Sequence, residues 1–196
     1  NQIFSRYQIN LVVDNADLRG APVVIEDNPL PHTLFGSIDY QFENGKLKTD
    51  FMRIHAGSLL KAHGGFLMLH LSDLLVDGQL WIKLRRFLRS KRLQIEESGS
   101  ALTSNAPVSL EPEAVEINVK IILIGSREEY YALQEIDPEF MRRFRVKVDF
   151  AESFMASAET YRASAIFVAH ACDVSKLPHF SAAAVARLLE ESHREV

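Results

Sequence analysis

Apolar positions recur along this chain first with a period of two and then with a period near 3.6, and the change divides the sequence. Residues 7–14 alternate and then run apolar through Ile9, Leu11, Val12 and Val13. Residues 21–26 do the same with Val23, Val24 and Ile25, and turn formers bound both segments, so each predicts a strand. Residues 66–71, Phe-Leu-Met-Leu-His-Leu, follow Gly64-Gly65 and predict a buried central strand. Residues 115–125 form the clearest strand pattern, with shorter ones at 92–96 and 146–150. Between them, Leu74, Leu75, Leu80, Trp81, Leu84, Phe87 and Leu88 fall at helical spacing from Ser72 to about Arg89, with an interruption at Gly78. Residues 57–62, 127–134 and 137–144 predict short helices.

After Phe150 the pattern is helical only, over residues 158–172 and 181–194, with a break at Leu177-Pro178-His179 and Ser181 as N-cap of the second helix. Asp27-Asn28-Pro29-Leu30-Pro31 predicts a rigid extended loop, because each proline biases its predecessor away from helix. Asn44-Gly45 suits a tight hairpin turn. The stretch 98–112, rich in Ser, Pro and Asn, reads as a loop inside a domain because strand signal resumes directly after it. The expectation is an α/β domain over residues 1–150 and a small helical domain over 151–196. No internal repeat is visible.

Composition adds bounds rather than identity. With 196 residues, 47% hydrophobic and 24% charged, the chain can bury a sizeable core. A net charge of −4 supplies no global field for nucleic acid, so such a partner is disfavoured. Cys172 is the single cysteine, which excludes an intramolecular disulfide and points to a reducing compartment, the cytoplasm. No apolar run approaches the roughly 18 residues of a membrane span. The chain opens on Asn1 and stops within a helical pattern at Val196, which reads as a piece of a longer protein.

An apolar strand ending in His70, followed by a helix and then by a second strand ending in Gly125-Ser126, is how open parallel sheets bring function to strand carboxyl ends. The competing reading is that His70 only caps a strand. Several motifs bear on the choice. Pro29-Leu30-Pro31-His32-Thr33-Leu34-Phe35-Gly36 comes first, then Gly57-Ser58-Leu59-Leu60-Lys61-Ala62-His63-Gly64-Gly65-Phe66-Leu67. Asp137-Pro138-Glu139-Phe140-Met141-Arg142-Arg143-Phe144 follows. In this order and spacing they resemble the AAA+ module of Lon-like proteases, and the resemblance covers essentially the whole chain.

The resemblance implies an AAA+-like parallel-sheet core followed by a small all-α lid, incomplete at its C-terminus. It implies ATP and Mg²⁺ as cofactors of the parent protein, a ring of identical subunits, commonly six, and unfolded polypeptide as substrate. By position, His70 and Leu71 stand where the family carries its Walker B Asp and Glu. Ser126 and Arg127 match the sensor-1 region, Arg143 with Arg142 as near alternative matches the arginine finger, and Phe35-Gly36 matches a pore-facing segment. Imidazole is a poor ligand for a hard cation and Leu71 accepts no proton, so the expectation is impaired or absent hydrolysis. Asp73, three residues along, is a weak substitute. The P-loop pattern G-x-x-x-x-G-K-[ST] occurs nowhere in the sequence. The family's Ser-Lys protease dyad belongs to a separate domain, so no catalytic residue is assigned here.

Two alternatives accompany this reading: an active remodelling ATPase with unusual metal ligation, and a nucleic-acid-associated AAA+ factor using Lys83, Arg85, Arg86, Arg89, Lys91 and Arg92. That basic cluster more commonly means a solvated helix face or a surface for an acidic partner. Ser58-x-x-Lys61 resembles a penicillin-binding motif by chance, its companion elements being missing. His55, His63 and His70, like His170, Cys172 and His179, lack zinc-ligand spacing and are read as structural, so no metal is assigned.

Overall fold

In the computed structural model the described residues are 7–43, 46–96, 110–151 and 153–192. The chain divides between Arg145 and Val146 into two compact units.

The first unit is built on three parallel strands, β1 (Val23–Glu26), β6 (Phe66–His70) and β9 (Lys120–Ile124), in the order β1-β6-β9. Between β1 and β6 come the helix α1 (Pro31–Phe35), the two-stranded pairs β2 (Ser37–Ile38) with β5 (Ile54–His55) and β3 (Gln41–Glu43) with β4 (Lys46–Lys48), and the helix α2 (Ser58–Lys61). The register aligns Val24, Leu67 and Ile121 on one face, and Leu69 with Leu123 further along it. That face carries the core: Leu67 and Leu69 are fully buried, and each such leucine contributes on the order of 2 kcal/mol. The opposite face, with Val23, Ile25, Ile122 and Ile124, is exposed. Parallel sheets are ordinarily covered on both sides. His70, paired in register with Ile124, stands at the carboxyl end of this bare face.

The helical pattern after β6 becomes α3 (Leu71–Val76) and α4 (Gly78–Ser90), broken at Asp77, whose carboxylate caps α4 by accepting from Gln79 N–H at 2.9 Å. Leu74, Leu80, Trp81, Leu84 and Phe87 pack into the core as their spacing predicts. A short pair, β7 (Arg92–Leu93) with β8 (Val115–Glu116), leads to β9. The helices α5 (Arg127–Ile136) and α6 (Phe140–Arg143) close the unit.

Several expectations are corrected. Residues 7–14 join no strand among the described residues: Asn10 Nδ2 donates to the carbonyls of Phe51 (2.9 Å) and Ile54 (3.0 Å), leaving Tyr7, Ile9 and Leu11 exposed. The run 115–125 splits into β8 and β9. Ile117 turns into the core there, and its N–H donates to the Lys91 carbonyl at 2.8 Å. Pro31 starts a helix instead of prolonging a loop, since proline at a first helical position forfeits no hydrogen bond. The Asn44-Gly45 turn and most of the 98–112 loop lie outside the described residues.

In the second unit residues 146–150 form no strand. Their alternation is real, but no strand lies beside them among the described residues, and Val146, Val148 and Phe150 are exposed. The helices α7 (Ala158–Ser175) and α8 (Ala182–Ser192) follow. Ser157 and Thr160 form a capping box at the start of α7, and Lys176 in the left-handed region (φ 53°) ends it. Leu177 N–H donates to the Cys172 carbonyl at 2.9 Å, and Pro178 then prevents continuation. Ser181 Oγ accepts from Ala184 N–H at 3.3 Å, the expected cap of α8.

Candidate functional site

The carboxyl ends of β6 and β9 bring together His70, Leu71, Gly125 and Ser126. His70 is half-buried, and no hydrogen bond or ion pair holds its ring among the described residues. Leu71, the first residue of α3, is only 3% exposed and turns into the core against Gly125. A Cβ added at Gly125 would lie 2.8 Å from Leu71 Cδ1 and 2.8 Å from Glu129 Oε2. An apolar side chain and a carboxylate therefore both crowd the position a side chain at 125 would take.

Ser126 begins α5 with a reciprocal cap. Its N–H donates to Glu129 Oε2 at 2.8 Å, and its Oγ accepts from Glu129 N–H at 3.2 Å. Glu128, exposed in the first turn, has a carboxyl held below the ordinary glutamate range by a backbone N–H, by hydrogen bonding to Ser126 and by the charge of Arg127. Negative charge here suits the helix N-terminus. Asp73 is exposed on α3, with the Ser72 hydroxyl donating to it at 3.2 Å.

A Mg²⁺-bound nucleotide, as the resemblance implies, needs carboxylate oxygens at the strand end. The residues present do not fit it: His70 offers imidazole, Leu71 is buried hydrocarbon, and Glu129 is engaged in capping. No three His, Cys, Asp or Glu among the described residues are placed to hold a metal ion. His55 pairs with Asp39 and His179 with Asp173, each at 3.1 Å, while His63 Nδ1 accepts from Asn118 N–H at 3.2 Å.

Arg142 and Arg143 lie on α6, and no hydrogen bond or ion pair among the described residues links them to His70 or Ser126. Arg143 Nη2 donates to Glu139 Oε2 at 3.0 Å. That contact, with the charges of Arg89 and Arg85, depresses the Glu139 carboxyl below its ordinary value. Asp137, 1% exposed, receives Arg85 Nη1 at 3.2 Å and Glu139 N–H at 3.1 Å. The basic cluster on α4 is thus not a uniformly solvated face, since Arg85 serves the α5–α6 junction and Lys83 pairs with Glu96 at 2.7 Å. Sequence reasoning missed the role of Asp137; an Asp three residues before a helix is a capping signal that could have revealed it.

Phe35 lies in the core. It is 2% exposed, under the Lys83 ammonium at 4.8 Å from its ring centroid, so its side chain presents nothing to a passing polypeptide. Gly36, at φ 95°, is buried beside it and closely packed, a Cβ there meeting the His55 carbonyl at 2.6 Å. Ser58 donates its hydroxyl to the Glu26 carboxylate and is buried, while Lys61 is exposed, which leaves no Ser-Lys pair.

Comparison with known proteins bears on this fold. The family model described as "LonB-like, AAA domain" matches residues 19–151. The chain belongs to the LonB-like AAA family. The Archaeal Lon protease of Archaeoglobus fulgidus is 30% identical over 193 residues, covering 94% of this chain and 30% of that protein. This LonB-like chain spans less than a third of the length of the curated relatives it matches. Among solved structures, NtrX from Brucella abortus superimposes with a TM-score of 0.52 at 19% identity, over 86% of this chain and 36% of that one. Its ADP complex gives 0.50 at 18% identity, over 81% and 32%. These likenesses establish the shared α/β fold. No helix among the described residues of the LonB-like chain is long and apolar enough to cross a membrane.

Proposed function

We propose that this LonB-like domain is the ATPase-like module of a Lon-type serine protease, a cytoplasmic ring that gates unfolded polypeptides and passes them to a separate Ser-Lys protease domain, with ATP hydrolysis impaired or absent. Residues 1–150 form its core and residues 151–196 its lid. His70 and Leu71 occupy the Walker B positions, Ser126 and Arg127 the sensor-1 region, and the α6 arginines the finger.

The observation that carries the reading is Leu71 packed against Gly125. The position that in an active enzyme offers a carboxylate to water is here part of the core, and His70 replaces the Mg²⁺-organising carboxylate. The module then acts as scaffold and entrance. Mg²⁺-dependent ATP turnover by the full-length protein tests it. Basal turnover at the uncatalysed level is the expected result, whereas measurable turnover abolished by Arg143→Ala or Arg142→Ala overturns the impaired-hydrolysis reading.

A further inference from the structure

The basic residues of α4 and of the strand after it fall into two groups. At helical spacing Arg85 and Arg89 share one flank of α4, and Lys83 and Arg86 share another. The first flank is neutralised within the fold, because Arg85 Nη1 reaches the Asp137 carboxylate at 3.2 Å and the charges of Arg89 and Arg85 act on Glu139. The second flank lines a groove of about 290 Å³, to which Arg92, Glu96, Gln79 and Gln94 also contribute. Three cations face one carboxylate there, a local positive excess in a chain whose net charge is −4.

The groups these cations already hold show the chemistry they accept. Lys83 Nζ, 4.8 Å from the Phe35 ring centroid, binds the Glu96 carboxylate at 2.7 Å. Arg92 Nη2 donates to the Ala114 carbonyl at 3.3 Å. A side-chain carboxylate and a peptide carbonyl are both groups of a polypeptide, and the amides of Gln79 and Gln94 can pair with a peptide backbone as donor and acceptor. Arg86 is exposed, and its guanidinium has neither ion pair nor hydrogen bond among the described residues. Nucleic acid fits less well. Stacking of a base needs an open aromatic face, whereas Phe35 and Phe87, which line the groove, are 2% and 5% exposed.

We propose that this groove docks an acidic segment of a partner polypeptide, with Arg86 receiving one of its carboxylates and Glu96 acting as an internal competitor that vacates Lys83 for another. Displacing Glu96 costs little, since its side chain is 65% exposed and ion pairs so open to water are weak. The groove shares no residue with the strand-end site, and docking in it needs neither nucleotide nor a ring.

Fluorescence anisotropy of a labelled peptide of alternating glutamate and alanine, titrated with the full-length protein without nucleotide, tests this. Binding that weakens as salt rises is expected. Arg86→Glu is expected to weaken it by about fivefold or more, because an exposed attraction is exchanged for a repulsion, and Glu96→Gln to tighten it by about two- to fivefold. A gain of binding is a result that a misfolded variant cannot produce. No binding of the peptide, binding unchanged in Arg86→Glu, or binding weakened in Glu96→Gln overturns the proposal. Equal binding of a lysine–alanine peptide of the same length also overturns it. So does a single-stranded oligothymidine bound more tightly than the acidic peptide and released by Arg86→Glu, which would assign the groove to nucleic acid.

Discussion

Leu71 and Gly125 constrain each other at the end of the central strands: a Cβ at position 125 would stand 2.8 Å from Leu71 Cδ1 and 3.0 Å from Leu71 Cβ. Contacts this short force a backbone or rotamer shift in a close-packed site. Gly125→Ala is expected to destabilise the domain by about 1–3 kcal/mol. Chemical denaturation checks this, and the double variant with Leu71→Ala, which removes the Cδ1 contact but keeps the Leu71 Cβ at 3.0 Å and Glu129 Oε2 at 2.8 Å, is expected to recover part of the overpacking loss, a coupling the double-mutant cycle measures directly.

Carboxylates placed at positions 70 and 71 are expected not to create a working site. In a His70→Asp, Leu71→Glu variant the new glutamate enters a buried position beside Gly125, where the Glu129 carboxylate also lies. An unpaired buried carboxylate next to a like charge is expected to cost about 2–4 kcal/mol. Urea unfolding reads the stability loss. ATP turnover in this variant is expected to stay at the wild-type level, and a gain of turnover would contradict the account of Leu71 as core.

Asp137 is expected to be the most sensitive charged position in the α6 region. Asp137→Ala removes the partner of Arg85 and the cap on Glu139 N–H together. The expected loss is about 2–3 kcal/mol, below that of a fully buried pair because the Arg85 side chain keeps a third of its surface in water. Asp137→Asn retains the cap and loses less. Equal losses in the two variants would show that the charge, not the cap, carries the effect.

Acid acts on the same region through Glu139. Its carboxyl is depressed chiefly by the hydrogen bond from Arg143 and then by the charges of Arg89, Arg143 and Arg85. A carboxyl depressed in the folded state contributes stability that is present above its unfolded pKa and is lost as pH falls through the folded value. Carbon-detected NMR titration of Glu139 is expected to show a midpoint below the ordinary glutamate value in the wild type and closer to it in Arg143→Ala. Identical midpoints would show that the hydrogen bond from Arg143 is not what depresses the Glu139 carboxyl.

The strand 66–70, the α4 core stripe from Leu80 to Phe87 and the helical hairpin after residue 157 were legible in the sequence, because each depends on local periodicity and capping that neighbouring residues supply. The positions of His70, Leu71 and Ser126 at strand ends were legible for the same reason. Residues 7–14 and 146–150 have strand periodicity without strand structure. Alternation states what a segment can do, and only a neighbouring strand with free N–H and C=O groups lets it do so.

The sequence by itself determined the family, the central strand and the identity of His70 and Leu71 at its end, since these are matters of residue identity and order. The tertiary structure decided that Leu71 is core, that Phe35 is buried beneath Lys83, and that Arg143 is tethered to Glu139 on a helix anchored by Phe140. Each of those outcomes depends on contacts between residues distant in sequence or on the direction a helix faces once Phe140 is anchored, and neither follows from periodicity alone.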